Sequence, residues 1–224
     1  MCTVTFIPTS AGFIITSNRD ERVARKRAIP PFCYEIDGCK ITFPRDAQAG
    51  GTWIAHTNNK VIVLLNGASE NHEIKTFYRK SRGLIVLELS SVADSLEYWE
   101  IINLEAIEPF TIVLFENSKL YQLQWNGTEK HQVELPIDLP HIWSSSTLYS
   151  KEIKSKREEW FVAFMANNQN PDKQSILDFH QFSEHENAGF GFVINRNNEL
   201  KTISITQCLI SPESIKMSYL DLME

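Results

Sequence analysis

Four times along this chain two short apolar or β-branched runs flank a polar turn, and this repetition constrains the fold more than any other feature. Thr3 to Ile7 and Phe13 to Ser17 flank Pro8-Thr9-Ser10-Ala11-Gly12; Thr52 to Thr57 and Val61 to Asn66 flank Asn58-Asn59. Thr111 to Glu116 and Leu120 to Trp125 flank Asn117-Ser118, and Gly191 to Ile194 and Leu200 to Ile205 flank Asn195-Arg196-Asn197-Asn198. Turns this short join antiparallel neighbours, because parallel pairing needs a crossover of a dozen residues or more. Antiparallel sheet is therefore expected to dominate.

Helical periodicity separates the strand blocks. Gly83 to Leu89 is expected to continue past Ser90-Ser91 into Val92 to Leu104, where Leu96, Trp99 and Ile102 recur at helical spacing and Ser91 with Asp94 forms a capping signature. From Leu148 to Met165 the residues Tyr149, Ile153, Trp160, Phe161, Phe164 and Met165 form one stripe, predicting a long surface helix. Asn170-Pro171-Asp172 reads as an N-cap, a first-turn proline and a first-turn acid for a helix reaching about Phe182. Strands, helices, strands, helices, strands is the order of an α+β layered domain, with helices covering the outer faces of two packed antiparallel sheets. No repeat or Pro/Gly/Ser linker divides the chain, so one domain over residues 1–224 is expected.

Charge narrows the partners. The chain carries 22 Lys+Arg against 28 Asp+Glu, a net charge of -6, and no global field that favours nucleic acid or an anionic membrane surface. No stretch approaches the roughly 18 to 20 apolar residues of a membrane helix, so no membrane insertion is expected. Cytoplasmic localisation follows as an expectation from an N-terminus without a basic secretory n-region. Cys2, Cys33, Cys39 and Cys208 have no CxxC pair and read as reduced thiols. The histidines His56, His72, His131, His141, His180 and His185 have no metal-ligand spacing, and neither a metal nor another cofactor is expected. His180 with His185 could approach a ligand, but a loop placement favours solvent exposure, and the five tryptophans read as core and sheet-face anchors.

Cys2 follows Met1 directly, so removal of Met1 puts a thiol and an α-amine on one residue. An α-amine titrates near ~7.7 to 8.0 and can take the thiol proton and return it to a leaving amine. The competing reading is a small apolar residue opening a strand. If the first hairpin turns near Ser10, residue i pairs with about 20 − i, which brings Cys2 to the neighbourhood of Asn18, Arg19 and Asp20. There Asp20 could hold the amine, and Arg19 could lower the thiol pKa or bind an anionic part of a substrate; the alternative is a solvated charge run that ends a strand. Asn66 ends the apolar strand Val61 to Leu65, either as an oxyanion donor or as half of an Asn-Gly turn. Gly50-Gly51, opposite Asn66 in that hairpin, would leave room for a ligand.

Met1-Cys2-Thr3 followed by Ser17-Asn18-Arg19-Asp20-Glu21 resembles the NRDE family, also called the transport and Golgi organisation 2 family. Gly50-Gly51-Thr52-Trp53-Ile54, Leu64-Leu65-Asn66 and Ser81-Arg82-Gly83-Leu84 are similar to its Gly-Gly-Thr-Trp, Leu-Thr-Asn and Ser-Arg-Gly blocks, in family order over roughly the first 90 residues. That family is similar to the cysteine N-terminal-nucleophile hydrolases of the choloylglycine hydrolase and penicillin V acylase type, which implies a four-layer αββα sandwich. The resemblance implies Cys2 as nucleophile, Asp20 as partner of its amine, Asn66 as an oxyanion donor and Arg19 beside them. Trp143-Ser144-Ser145-Ser146 stands where the family often has Leu-Ser-Asn, so no second amide donor is assigned. Two functions follow as expectations. One is an amidohydrolase that cleaves a linear, non-peptide C–N bond of an acyl-amide through a thioester. The other is a non-catalytic binding or trafficking protein that holds a lipid-like acyl chain, acyl-coenzyme A or haem.

Overall fold

The computed structural model describes residues 3–223, so the expected nucleophile Cys2 and its spacing to Asp20 lie outside the described residues. The chain runs through strands β1 (Thr3–Thr9), β2 (Gly12–Arg22), β3 (Ile29–Ile36), β4 (Cys39–Arg45), β5 (Ile54–His56) and β6 (Lys60–Asn66). Two short helices follow, α1 (Arg82–Ser91) and α2 (Ser95–Ile101). Strands β7 (Phe110–Glu116), β8 (Lys119–Trp125), β9 (Lys130–Leu135) and β10 (His141–Ser144) lead to helices α3 (Lys151–Asn167) and α4 (Lys173–Phe182). Strands β11 (Asn195–Arg196), β12 (Leu200–Ile210) and β13 (Ile215–Asp221) close the chain. The class is α+β, with two antiparallel sheets and four helices among the described residues. By contacts it divides into two compact units, Met1–Arg25 with Asp138–Glu224, and Lys26–Ile137.

In the first unit the sheet order is β10-β1-β2-β12-β11, with β13 also paired to β12. Strand alternation sorts its side chains into two sets. Thr3, Thr5 and Ile7 of β1 share a side with Ile14, Thr16, Asn18 and Asp20 of β2, and this side meets α3 and α4. Ile7, Ile14, Phe161, Ile176, Phe179 and Phe192 form its apolar core. Val4, Phe6, Ile15, Ser17 and Arg19 point the other way.

The hairpin register differs by one residue from the expected one: Thr3 lies opposite Asn18, and Thr9 opposite Gly12. The loop is only Ser10-Ala11, closed by Gly12 at φ 127°, where a Cβ would lie 2.1 Å from the Ile210 carbonyl oxygen. A one-residue change of register turns every side chain of the strand to the opposite partner set. It places Asn18 and Asp20 on the helix side with Thr3.

The second unit holds β3-β4-β5-β6-β7-β8-β9 in one antiparallel sheet. The hairpin β3–β4 has no counterpart in the sequence reading, although Asp37-Gly38 at its turn, with φ 51° and 78°, is a favoured two-residue turn pair. The single helix expected through Ser90-Ser91 is two helices. Ser90 Oγ donates back to Val86 O at 2.7 Å, and Asp94 caps a new start by accepting from Leu96 N and Glu97 N, both at 2.9 Å. Ser91 donates to Glu88 O and makes no capping box. Helix α3 begins later than expected, at Lys151, capped by Ser150, whose Oγ accepts from Ile153 N. Asp172, not Asn170, caps α4.

Candidate functional site

The Asn18-Arg19-Asp20 run lies inside β2 and sends its members to opposite sides. Asn18 and Asp20, both buried, enter a polar layer between the sheet and its helices. Asp20 Oδ2 accepts from the Tyr149 hydroxyl at 2.8 Å, and Asp20 Oδ1 from Thr202 Oγ1 at 2.5 Å. Thr202 in turn accepts from Ile194 N at 2.8 Å, which ties the loop before β11 to the carboxylate. Both carboxylate oxygens are thus held by hydroxyl donors.

Asn18 Nδ2 donates to Phe192 O at 2.7 Å and to His180 O at 3.1 Å, leaving its Oδ1 as acceptor for His180 Nδ1 at 2.6 Å. His180 Nε2 then takes the Thr5 hydroxyl at 2.7 Å. The network thereby assigns a neutral imidazole protonated on Nδ1. Burial, with a smaller contribution from the Arg157 guanidinium, pushes the His180 pKa down to about 3. The exposed setting expected for His180 is thus corrected: it is fully buried, while His185 is exposed. The sequence signal was its position beside Phe179 and four residues after Ile176, on the apolar stripe of α4.

Arg157 is the second residue that sequence reasoning missed. Fully buried on α3, it donates from Nη1 to Thr3 Oγ1 and, at 3.4 Å, to Ser144 Oγ. Its Nε reaches Phe190 O at 3.0 Å and its Nη2 reaches Gly191 O. The guanidinium carbon lies 3.8 Å from the centre of the Tyr149 ring. Its signal was a charge placed midway between Ile153 and Phe161 on the helix stripe.

Arg19 lies on the opposite side of β2, buried, with Glu21 Oε2 at 3.8 Å. Asn66 closes β6 opposite Phe110 and is half-buried. By strand alternation it shares a side with Lys60, Ile62 and Leu64. At Gly51 the expected ligand space is corrected: a Cβ there would lie 2.4 Å from the Gly83 carbonyl carbon, and one on Gly83 2.8 Å from Thr52 O. Thr52 N donates to Gly83 O at 3.1 Å. The Gly-Gly-Thr-Trp and Ser-Arg-Gly blocks are therefore two halves of one close backbone contact at the start of α1.

Cys33, Cys39 and Cys208 are free thiols, and burial pushes the Cys208 thiol up, away from thiolate chemistry. No group of three or more potential metal ligands occurs among the described residues. Among the described residues no helix is long and apolar enough to cross a membrane.

No curated protein matches the chain in sequence. The family model described as Transport and Golgi organisation 2 matches residues 1–207, which include every block that carries the resemblance. With most of its length covered by that match, the chain belongs to the Transport and Golgi organisation 2 family.

Proposed function

We propose that the protein is a cysteine N-terminal-nucleophile amidohydrolase that cleaves a linear, non-peptide C–N bond of an acyl-amide. The supporting observation is the anchoring of the two strand positions that such a site uses. Thr3, joined to Cys2 by one peptide bond, is buried, paired to both Ser144 and Asn18 and held by Arg157. Asp20 is fixed in the same buried layer by Tyr149 and Thr202. On the helix side of this strand start, Thr5, Asn18, Asp20 and His180 are joined to their neighbours by hydrogen bonds, which confers rigidity.

In this reading the α-amine of Cys2 accepts the thiol proton, and the thiolate attacks the amide carbon. A tetrahedral oxyanion forms, for which Asn66 is the donor, and its collapse breaks the C–N bond as the ammonium returns the proton to the leaving amine. Water, deprotonated by the same amine, then hydrolyses the thioester and releases the acid. Asp20 orients the amine, and Arg19 adds positive charge that favours the thiolate.

The test uses protein whose intact mass shows that Met1 has been removed. Iodoacetamide near neutral pH should label Cys2 ahead of exposed Cys33, with Cys208 last, and an N-acyl amide should leave an acyl adduct on Cys2. Equal labelling of Cys2 and Cys33 with no adduct on any of a series of acyl amides would sink the enzyme reading and favour a binding protein for an acyl ligand.

A further inference from the structure

We infer that Arg157 is a positioning residue for the N-terminal nucleophile, acting through the Thr3 hydroxyl and the Tyr149 ring. The inference rests on the amidohydrolase reading and adds a residue that neither the family blocks nor the expected site contains.

Burying a guanidinium is costly unless its donors are matched. On the α3 stripe of Ile153, Phe161 and Phe164, a leucine at position 157 would fill space without that cost. What the arginine adds is a planar fork of five donors, which no other side chain offers. Its partners come from separate pieces of one unit: Thr3 on β1, Ser144 on β10, and the carbonyls of Phe190 and Gly191 before β11. They converge on the first described residue of β1, a strand that lies between β10 and β2.

The second attachment reaches the acid. Arg157 stacks on Tyr149 at 3.8 Å, and the Tyr149 hydroxyl donates to Asp20. A cation on the ring face polarises the phenol and strengthens its O–H as a donor. One side chain of α3 therefore fixes both the residue that follows the nucleophile and the carboxylate that orients its amine. Misplacing a reacting group by about 1 Å can cost roughly 10²-fold in rate.

Arg157 itself is a poor variant, since its loss removes the donor from four acceptors at once and puts the fold at stake. Thr3→Val keeps the shape and removes the hydroxyl, Thr3→Ser restores it, and Tyr149→Phe removes only the bond to Asp20. The readout is the rate of Cys2 alkylation by iodoacetamide against pH in Met-free protein, with Cys33 as internal reference. Thr3→Val and Tyr149→Phe are expected to slow Cys2 labelling at neutral pH by roughly tenfold and to move the midpoint of its pH profile. Thr3→Ser should return both to within about twofold, and Cys33 should label at the wild-type rate throughout. A Thr3→Val protein with the wild-type Cys2 rate and midpoint overturns the role of Arg157 and leaves the nucleophile intact. A wild-type Cys2 that labels no faster than Cys33 overturns the amidohydrolase reading and this inference with it.

Discussion

His180 and Asn18 clasp each other twice, the imidazole Nδ1–H donating to Asn18 Oδ1 at 2.6 Å and the Asn18 amide donating to His180 O at 3.1 Å. With Thr5 on Nε2, every polar atom of the ring is used, and the ring has no place for a second proton. The clasp ties β2 to α4, so the first residue of the Asn18-Arg19-Asp20 run serves the fold while the last anchors the candidate site.

This predicts a specific acid sensitivity. The folded His180 pKa of about 3 lies below the ordinary value of 6.5, so the unfolded chain binds the proton more readily. The stabilisation is fully present above pH 6.5 and is lost as pH falls towards 3, by up to about 1.4 kcal/mol per pH unit. His180→Asn keeps the donor to Asn18 and does not titrate. Urea midpoints between pH 4 and 7 should fall more steeply with acid for the wild type than for this variant; parallel curves would refute the assignment.

Gly51 and Gly83 should tolerate no side chain. The atoms that a Cβ would meet are backbone of the facing segment at 2.4 to 2.9 Å, and no flexible side chain is there to yield. Gly51→Ala and Gly83→Ala should each destabilise by about 1 to 3 kcal/mol in urea titrations. Because both strike one contact, the double variant should lose less than the two losses combined.

The buried pair of Lys60 and Glu116 predicts an asymmetric response. Lys60 Nζ lies 2.6 Å from Glu116 Oε1 and also donates to Val92 O at 2.8 Å and Ser95 Oγ at 2.9 Å. Glu116 also accepts from Ser95 N and Ser95 Oγ. The pair thus pins the break between α1 and α2. Lys60→Met alone leaves a buried carboxylate without its counter-charge and should cost about 3 to 5 kcal/mol, whereas Lys60→Met with Glu116→Leu should recover much of it. Equal losses in single and double variants, measured by thermal unfolding, would contradict the pairing.

Lys60 also shows where sequence reading stopped. The hairpins around Asn58-Asn59 and Asn117-Ser118 were legible because turn chemistry is local, and so was the stripe of α3. The break after Ser91 was not, because Lys60, 32 residues before Val92, binds the Val92 carbonyl there. Asp20 stands out in the sequence through the hairpin pairing and its run of charges, but its partners Tyr149 and Thr202 lie 129 and 182 residues further on, beyond any spacing rule. The glycine blocks were recognised and misread, since a missing side chain looks the same in sequence whether a ligand or a helix occupies the gap.

Asn66→Ala tests the oxyanion role. The turn after β6 is held by Gly67, at φ 81°, whose N–H donates to Pro109 O at 3.0 Å and whose carbonyl accepts from Thr111 Oγ1 at 2.9 Å. Asn66 is half-buried, and the urea midpoint of the variant separates any loss of stability from a loss in kcat. An oxyanion donor acts chiefly in the transition state. On an amide substrate the variant should therefore lose roughly 10²- to 10³-fold in kcat with KM nearly unchanged. Thr111→Val is the control: it removes the bond to Gly67, and should lower the melting temperature while leaving kcat close to the wild-type value. A wild-type kcat for Asn66→Ala, or a loss confined to stability, would assign Asn66 to the turn instead of the chemistry.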